Sequence, residues 1–221
     1  MGVQPKVLIN LMYHQVGRGK YSNSPTMMRR HLKHIAKKYR TVLPGQPLKK
    51  GFNVCLTFDD ATVDFYEKVF PLLKEFDLKA LLAVPTSFIG NRGYCTWEML
   101  DEMARSDRVS IACHSHTHAD LSKAANLLLE LQNAKEILEN KLQRRIETFV
   151  YPYGKWNKKL QKEVEKHFPY AMRIGSATQK GWKPLMTRIP ADRLPTPDHP
   201  FTIKVLGKAL LKSGIHKMLR K

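Results

Sequence analysis
Apolar residues fall along the chain in two alternating patterns. Short runs that are apolar at nearly every position occupy residues 7–12, 54–58, 80–84, 109–112, 148–151 and 171–174. Their length and β-branched content predict strands buried on both faces. Between them, apolar residues recur at intervals of three and four: Met28, Leu32, Ile35 and Tyr39; Val63, Tyr66, Phe70 and Leu73; Leu127, Leu131, Ala134, Leu138 and Leu142. That spacing predicts amphipathic helices. Strand and helix in alternation predict parallel strands covered by helices, an α/β barrel in preference to a doubly wound sheet.

The 221 residues fit one domain, with neither repeats nor a linker. The expected division is a catalytic domain over 1–200 and a basic amphipathic segment over 201–221 belonging to the same domain. Prolines thicken between Pro184 and Pro200, which predicts irregular chain there. Cys55, Cys95 and Cys113 form no CxxC pair and leave an odd thiol, which argues against a disulfide framework and points to a reducing compartment. The first residues, MGVQPKVLINLMYHQV, do not read as a signal peptide, and no apolar run approaches a bilayer-spanning length. A cytoplasmic protein is expected, acting at the inner face of the inner membrane.

In α/β barrels chemistry gathers at the carboxyl ends of the strands. Here those ends carry Tyr13-His14, Thr57-Phe58-Asp59-Asp60, His114-Ser115-His116-Thr117-His118 and Tyr151-Pro152-Tyr153-Gly154. Two acids directly after an apolar run are costly unless a cation or hydrogen bonds stabilise them. His114 and His118, four residues apart, together with Asp60 make a set of two histidines and one carboxylate, as in catalytic zinc sites with open positions. Asp59 would then be free to act as general base on a water at the ion. Taken singly, the acids also read as a helix N-cap and the histidines as a solvated loop. Their joint placement at neighbouring strand ends favours the metal.

TFDD, HSxTHxxLS and the YPYG turn resemble the signature motifs of the polysaccharide deacetylase family, carbohydrate esterase family four, whose domain is shared with nodulation deacetylases. LMYHQV and FPLLKEFDLKALLAV resemble the same family in context, and the likeness runs from residue 7 to about residue 160. The resemblance implies a distorted (β/α) barrel that removes the N-acetyl group from an N-acetylated amino sugar by metal-assisted hydrolysis. It makes Asp59 the base, and Asp60, His114 and His118 the ligands of Zn²⁺ or of another divalent ion such as Co²⁺, Ni²⁺ or Mn²⁺. It also implies that Ser115 and Thr117 steady the histidine loop, and that Tyr153, after Pro152, offers its backbone N–H to the oxyanion.

Two departures stand out. The best-known branch has an arginine two residues before the proline of the third motif, where this chain has Val150; Arg188, in Thr187-Arg188-Ile189-Pro190 near a possible late strand, is the candidate substitute on the substrate side. The late Leu-x-His element that supplies the general acid is not evident. His14 is the candidate acid, with His199 and Asp192 as weaker alternatives. His116 is expected to face away from the ligands, and Trp97, Trp156 and Trp182 are ambiguous between packing and sugar stacking.

Charge adds a further layer. Lys and Arg number 38 against 19 Asp and Glu, a formal net charge of +19. That excess calls for an acidic partner. Helix residues 27–40 and the last twenty residues carry basic faces, which suggest contact with an anionic membrane surface. The expected substrate is an acetylated amino-sugar saccharide in a polysaccharide, lipopolysaccharide or lipid-linked glycan precursor. Neither deformylation nor a degenerate fold that serves as a basic glycan-, membrane- or nucleic-acid-binding protein is separated from this reading by motif alone. No nucleic-acid motif supports a specific nucleic-acid partner.

Overall fold
Seven strands too apolar to face water on either side bury both faces by closing on themselves. The computed structural model describes residues 6–202 together with Gly207 and Lys208. Its elements run β1 (Lys6–Tyr13), β2 (Gln15–Val16), β3 (Ser22–Asn23), α1 (Pro25–Lys38), β4 (Arg40–Thr41), β5 (Gly51–Phe58), α2 (Phe70–Glu75), β6 (Ala80–Val84), α3 (Trp97–Arg105), β7 (Val109–Cys113), α4 (Ala134–Leu142), β8 (Thr148–Val150), α5 (Lys158–Glu165), β9 (Tyr170–Ile174) and β10 (Leu185–Pro190). Wide helical turns at Phe65–Val69 and Leu129–Asn133 lead into α2 and α4.

The barrel order is β1-β10-β9-β8-β7-β6-β5, all parallel, and β5 closes back on β1 from Lys6↔Gly51 to Tyr13↔Phe58. The distortion has a visible cause. β6 joins β5 only from Leu56 onward, and β4 occupies the place beside the first half of β5. β1 meets β10 only at Leu11 and Met12.

Alternate residues divide between two cores, as the two-residue period of a strand requires. Leu8, Cys55, Leu81, Ala83, Ala112, Val150, Met172 and Met186 fill the barrel interior. Ile9, Leu11, Val54, Leu56, Leu82, Ile111 and Phe149 point outward, under the apolar stripes of the helices. The stripe on α1 is Met28, His31, Leu32 and Ile35, and the helix starts where Ser24 accepts a hydrogen bond from the Met27 N–H with Pro25 in the first turn. His31 was not foreseen as core. It is buried between the Tyr13 hydroxyl and the Pro197 carbonyl, each 2.6 Å away, and burial pushes its ring down to about 4.

The irregular chain expected over 184–200 is corrected in its first part: Leu185–Pro190 is β10, which seals the barrel with its apolar residues Met186 and Ile189 buried. The basic amphipathic segment expected at the C-terminus lies almost wholly outside the described residues. The three cysteines are free and buried, and desolvation raises each thiol to about 12. Among the described residues no helix is long and apolar enough to cross a membrane.

Candidate active site and metal centre
Strand parity carries through to the mouth. Counting in twos along β5 from the inward Cys55 reaches Thr57 and then Asp59; along β7 from Ala112 it reaches His114; along β10 from Met186 it reaches Arg188, and two steps further Asp192; along β1 from Leu8 it reaches His14. The side chains that converge over the barrel axis are those the alternation directs there.

Asp59 is 4% exposed and Arg188 is 0% exposed. The guanidinium grips both carboxylate oxygens, Nη1 to Oδ1 at 2.6 Å and Nη2 to Oδ2 at 2.9 Å, and Nη1 also reaches the Thr57 hydroxyl at 3.1 Å. Burial alone would raise the Asp59 pKa, but Arg188, His114 and His14 outweigh it and hold the group at about 2. Arg188 therefore stands at Asp59 and is shut off from solvent, rather than lying where a substrate would touch it.

Asp60, His114 and His118 each offer a ligand atom, all within 4.8 Å of one another. Their chemistry fits a cation. His114 Nδ1 lies 2.7 Å from the Val150 carbonyl, an oxygen that can only accept, so that nitrogen carries the proton. Burial pushes the ring down to about 4, so it is neutral and Nε2 presents a lone pair. That lone pair faces Asp60 Oδ1 at 3.7 Å, and His118 Nε2 faces the same oxygen at 3.4 Å. Asp60 Oδ1 is buried with no hydrogen-bond partner among the described residues. Electron-rich atoms turned toward one another in a partly buried pocket are stabilised by a positive ion between them. The helix N-cap reading of Asp59-Asp60 is not what forms, since Asp59 is bound to Arg188 and the following helix begins past Thr62.

The backbone is strained to make this cluster. Asp60 (φ 74), Ala61 (φ 51), Ser115 (φ 66), His118 (φ 58) and Tyr153 (φ 58) all take left-handed conformations. Such residues gather where surrounding structure over-determines an unfavourable geometry. The Tyr153 ring is 60% exposed and stacks edge-on against His118 at 4.7 Å. Gly154 follows at φ +65, where a Cβ would stand 2.6 Å from Ile174, so this turn admits no larger residue.

The histidine loop is held by a residue that sequence reasoning missed. Glu130, 5% exposed, accepts the backbone N–H groups of His116 and Thr117, both at 2.9 Å, and the Thr117 hydroxyl at 2.6 Å. Burial pushes its carboxyl up, but these hydrogen bonds prevail and keep it below its ordinary range. An acid inside the apolar stripe Leu127–Leu131–Ala134 was its only signal. Ser115 is buried beside the ligands, and His116 turns away from them to the Thr86 hydroxyl at 2.7 Å. Glu130→Ala is expected to loosen the loop and weaken the affinity of Asp60, His114 and His118 for a divalent ion about 10- to 100-fold while the barrel stays folded, as read by competition with a chelator and by circular dichroism.

His14 lies across the site. Its Nδ1 and its backbone N–H bind the two carboxylate oxygens of Asp192 at 2.7 and 3.0 Å. Asp192, expected as a weak alternative acid, is placed as the partner of His14. Desolvation lowers the His14 pKa, but Asp192, Asp59 and Asp60 together raise it above 6.5. His199 is not brought to the site; its electrostatic neighbours are His31 and Asp198. Trp97 opens α3 and packs on the core, Trp156 lies under Arg173, and Trp182 donates to the Gln46 carbonyl at 2.7 Å.

Known proteins show the same arrangement of sequence and fold. The family model for polysaccharide deacetylases matches residues 48–171, more than half of the chain. YxkH of Bacillus subtilis (strain 168), whose name assigns it to the polysaccharide deacetylases, is 27% identical over 190 residues, covering 80% of this chain and 67% of its own. The poly-beta-1,6-N-acetyl-D-glucosamine N-deacetylase of Staphylococcus aureus (strain MRSA252) is 25% identical over 120 residues, covering 48% of this chain and 41% of its own. In fold, the Streptococcus pyogenes deacetylase PplD superposes with a TM-score of 0.79 at 22% identity, over 95% of this chain and 99% of its own. With the TFDD and HSxTH motifs at the carboxyl ends of β5 and β7 of a closed parallel barrel, this chain belongs to the polysaccharide deacetylase family.

Proposed function
We propose that this protein is a metal-dependent hydrolase that removes the N-acetyl group from an N-acetylated amino sugar within a polysaccharide or a glycan precursor. The observation that carries the reading is the pocket of Asp60, His114 and His118, whose lone pairs converge beside an Asp59 kept ionised by Arg188. A barrel serving only as a binding module has no use for a buried carboxylate oxygen without a partner. The name of the S. aureus relative favours an N-acetylglucosamine polymer as substrate.

A divalent ion held by Asp60, His114 and His118, with Zn²⁺ the first candidate, supplies Lewis-acid polarisation of the amide carbonyl and eases deprotonation of a nearby water. The protein's own groups do the rest. Asp59 keeps lone pairs free on both oxygens beyond those that accept from Arg188, and takes the proton of the attacking water. The Tyr153 backbone N–H, set by its left-handed φ, serves the developing oxyanion, a contact worth about 3–4 kcal/mol. His14, with Nδ1 committed to Asp192, has Nε2 left to protonate the leaving amine as the C–N bond breaks. Acetate and a free amino sugar result.

The test is acetate release from N-acetylglucosamine oligomers by protein refilled with Zn²⁺, beside Asp59→Asn. Release by the wild type and none by the variant is expected; none by either overturns the reading. His14 gives a pH signature. An acid works while protonated, so an alkaline limb in kcat/KM is expected, with the Asp192 carboxylate on Nδ1 raising the His14 pKa and holding the limb at higher pH. Asp192→Asn removes part of what raises that pKa, so the limb moves to lower pH. His14→Ala is expected to lower kcat about 10²- to 10⁴-fold and to erase the limb.

A further inference from the structure
The catalytic mouth uses little of the +19 charge, and the barrel shows where much of the remainder lies. At the amino ends of neighbouring strands, opposite the mouth, a basic residue stands one or two positions before each strand: Lys49 before β5, Lys79 before β6, Arg108 before β7. Arg144 and Arg145 precede β8, and Arg40 begins β4. Because all barrel strands are parallel, these six cations share one end, while the ionisable groups directly after β1, β5 and β7 are His14, Asp59, Asp60 and His114 at the other.

The basic end is concave. A cavity of about 640 Å³ is lined by Lys79, Arg144 and Arg145 with Gln46 and Ser110. A second, of about 620 Å³, is lined by Arg40, Lys49 and Arg108, and shares Lys79 and Gln46 with the first. A shallow depression, largely open to solvent, continues past Arg144 and Arg145. Together they follow the strand ends from β5 to β8, three strand spacings or about 14 Å, with β4 alongside the first half of β5. Three acids border this trough, and one of them, Glu139, accepts the Ile146 N–H at 2.8 Å and pairs with Lys135 at 3.9 Å. Asp77 is taken up by Arg108, and Asp107 is a single opposing charge. Among the described residues no carboxylate lies within 4.0 Å of a charged nitrogen of Arg40, Lys49, Lys79 or Arg144, and Arg145 reaches only Glu147, at 3.6 Å.

We propose that this trough binds an extended phosphate-bearing polyanion, with Lys79 at its centre and guanidinium groups on both walls. Guanidinium forks suit tetrahedral oxyanions, and cations spaced along one hollow, exposed at Arg40, Lys49, Arg144 and Arg145, can each meet a successive phosphate of a chain. A linear polymer can enter adjoining cavities, whereas a bilayer touches only their rims. No free ring invites base stacking: Tyr39 stacks on Phe201 at 4.2 Å, and the Arg29 guanidinium covers Phe76. Recognition would therefore follow the phosphates alone. The inference stands apart from the deacetylase reading and is tested by binding.

The probe is long-chain linear polyphosphate, titrated near physiological ionic strength against wild type, against K79Q/R144Q/R145Q, and against K158Q/K159Q/K162Q, which removes the same charge from exposed positions of α5. The trough variant is expected to bind about tenfold more weakly or worse, with a shallower salt dependence, and the α5 variant to change less than about twofold. Thermal unfolding of both variants checks that the barrel is intact, and Arg144→Gln alone, at an exposed position, is expected to show a smaller loss of the same kind. Equal losses in the two triple variants would make the binding a matter of net charge and overturn the site. Binding to vesicles of phosphatidylglycerol but not to polyphosphate would overturn it in favour of a membrane surface.

Discussion
Protein refilled with Zn²⁺ and then dialysed is expected to hold about one ion per chain, while His114→Ala holds none and loses about 10³-fold or more of its acetate release. The reason is the direction of His114. Its Nδ1 is fixed on the Val150 carbonyl, so Nε2 has no freedom to serve any partner but one sitting among Asp60 and His118. An ion that binds only the folded state also stabilises it. At a free concentration about 100 times its Kd the gain is about 2.7 kcal/mol, a rise in Tm of about 5–10 °C for a domain of this size. The wild type should show that rise on adding Zn²⁺ and the variant should not. An absence of bound metal in both, with no thermal shift, would refute the metal centre.

Arg188→Met is expected to be the most damaging single substitution in the barrel interior. It leaves Asp59 buried and ionised without its partner, and breaking a buried pair from one side costs about 3–5 kcal/mol. Thermal unfolding should fall by about 6–20 °C, and acetate release should be lost along with the position of the base. Adding Asp59→Asn removes the stranded charge, so the double variant should recover much of the stability and none of the activity. Recovery of activity would disprove the role of Asp59. The pair also sets an acid limb of stability. Asp59 has a folded pKa depressed to about 2, so its contribution is complete above the unfolded value near 3.9 and is lost as pH falls from there through about 2. The wild type should lose stability across that window, and Asp59→Asn should lose less.

The strands over 54–58 and 80–84 were legible because each is an apolar run broken at most once, and the helix over residues 28–39 because its stripe repeats at the helical interval. β4 was not legible: Arg40–Thr41 is two residues of polar chain, and it is a strand only because β6 leaves the first half of β5 open. β10 was legible only as a possible late strand about Thr187–Pro190, its extent hidden by flanking prolines, although Met186 and Arg188 keep the two-residue alternation that turns them inward.

The site divides in the same way. Asp59, Asp60, His114 and His118 lie in short motifs at strand ends, where the cost of burying bare charges already points to a cation. Their number and order are local properties, and the sequence alone determined them, along with the alternation that makes a barrel. What only the tertiary structure decided are pairings across long stretches of chain: Arg188 with Asp59, 129 residues apart, Asp192 with His14, 178 apart, and Glu130 with the histidine loop. Each pairs groups whose charge is tolerable in a dry interior only beside its partner, and no local pattern reveals which distant residue will be that partner. The closing of seven parallel strands brings their ends together over one axis, and that closure selects the partner.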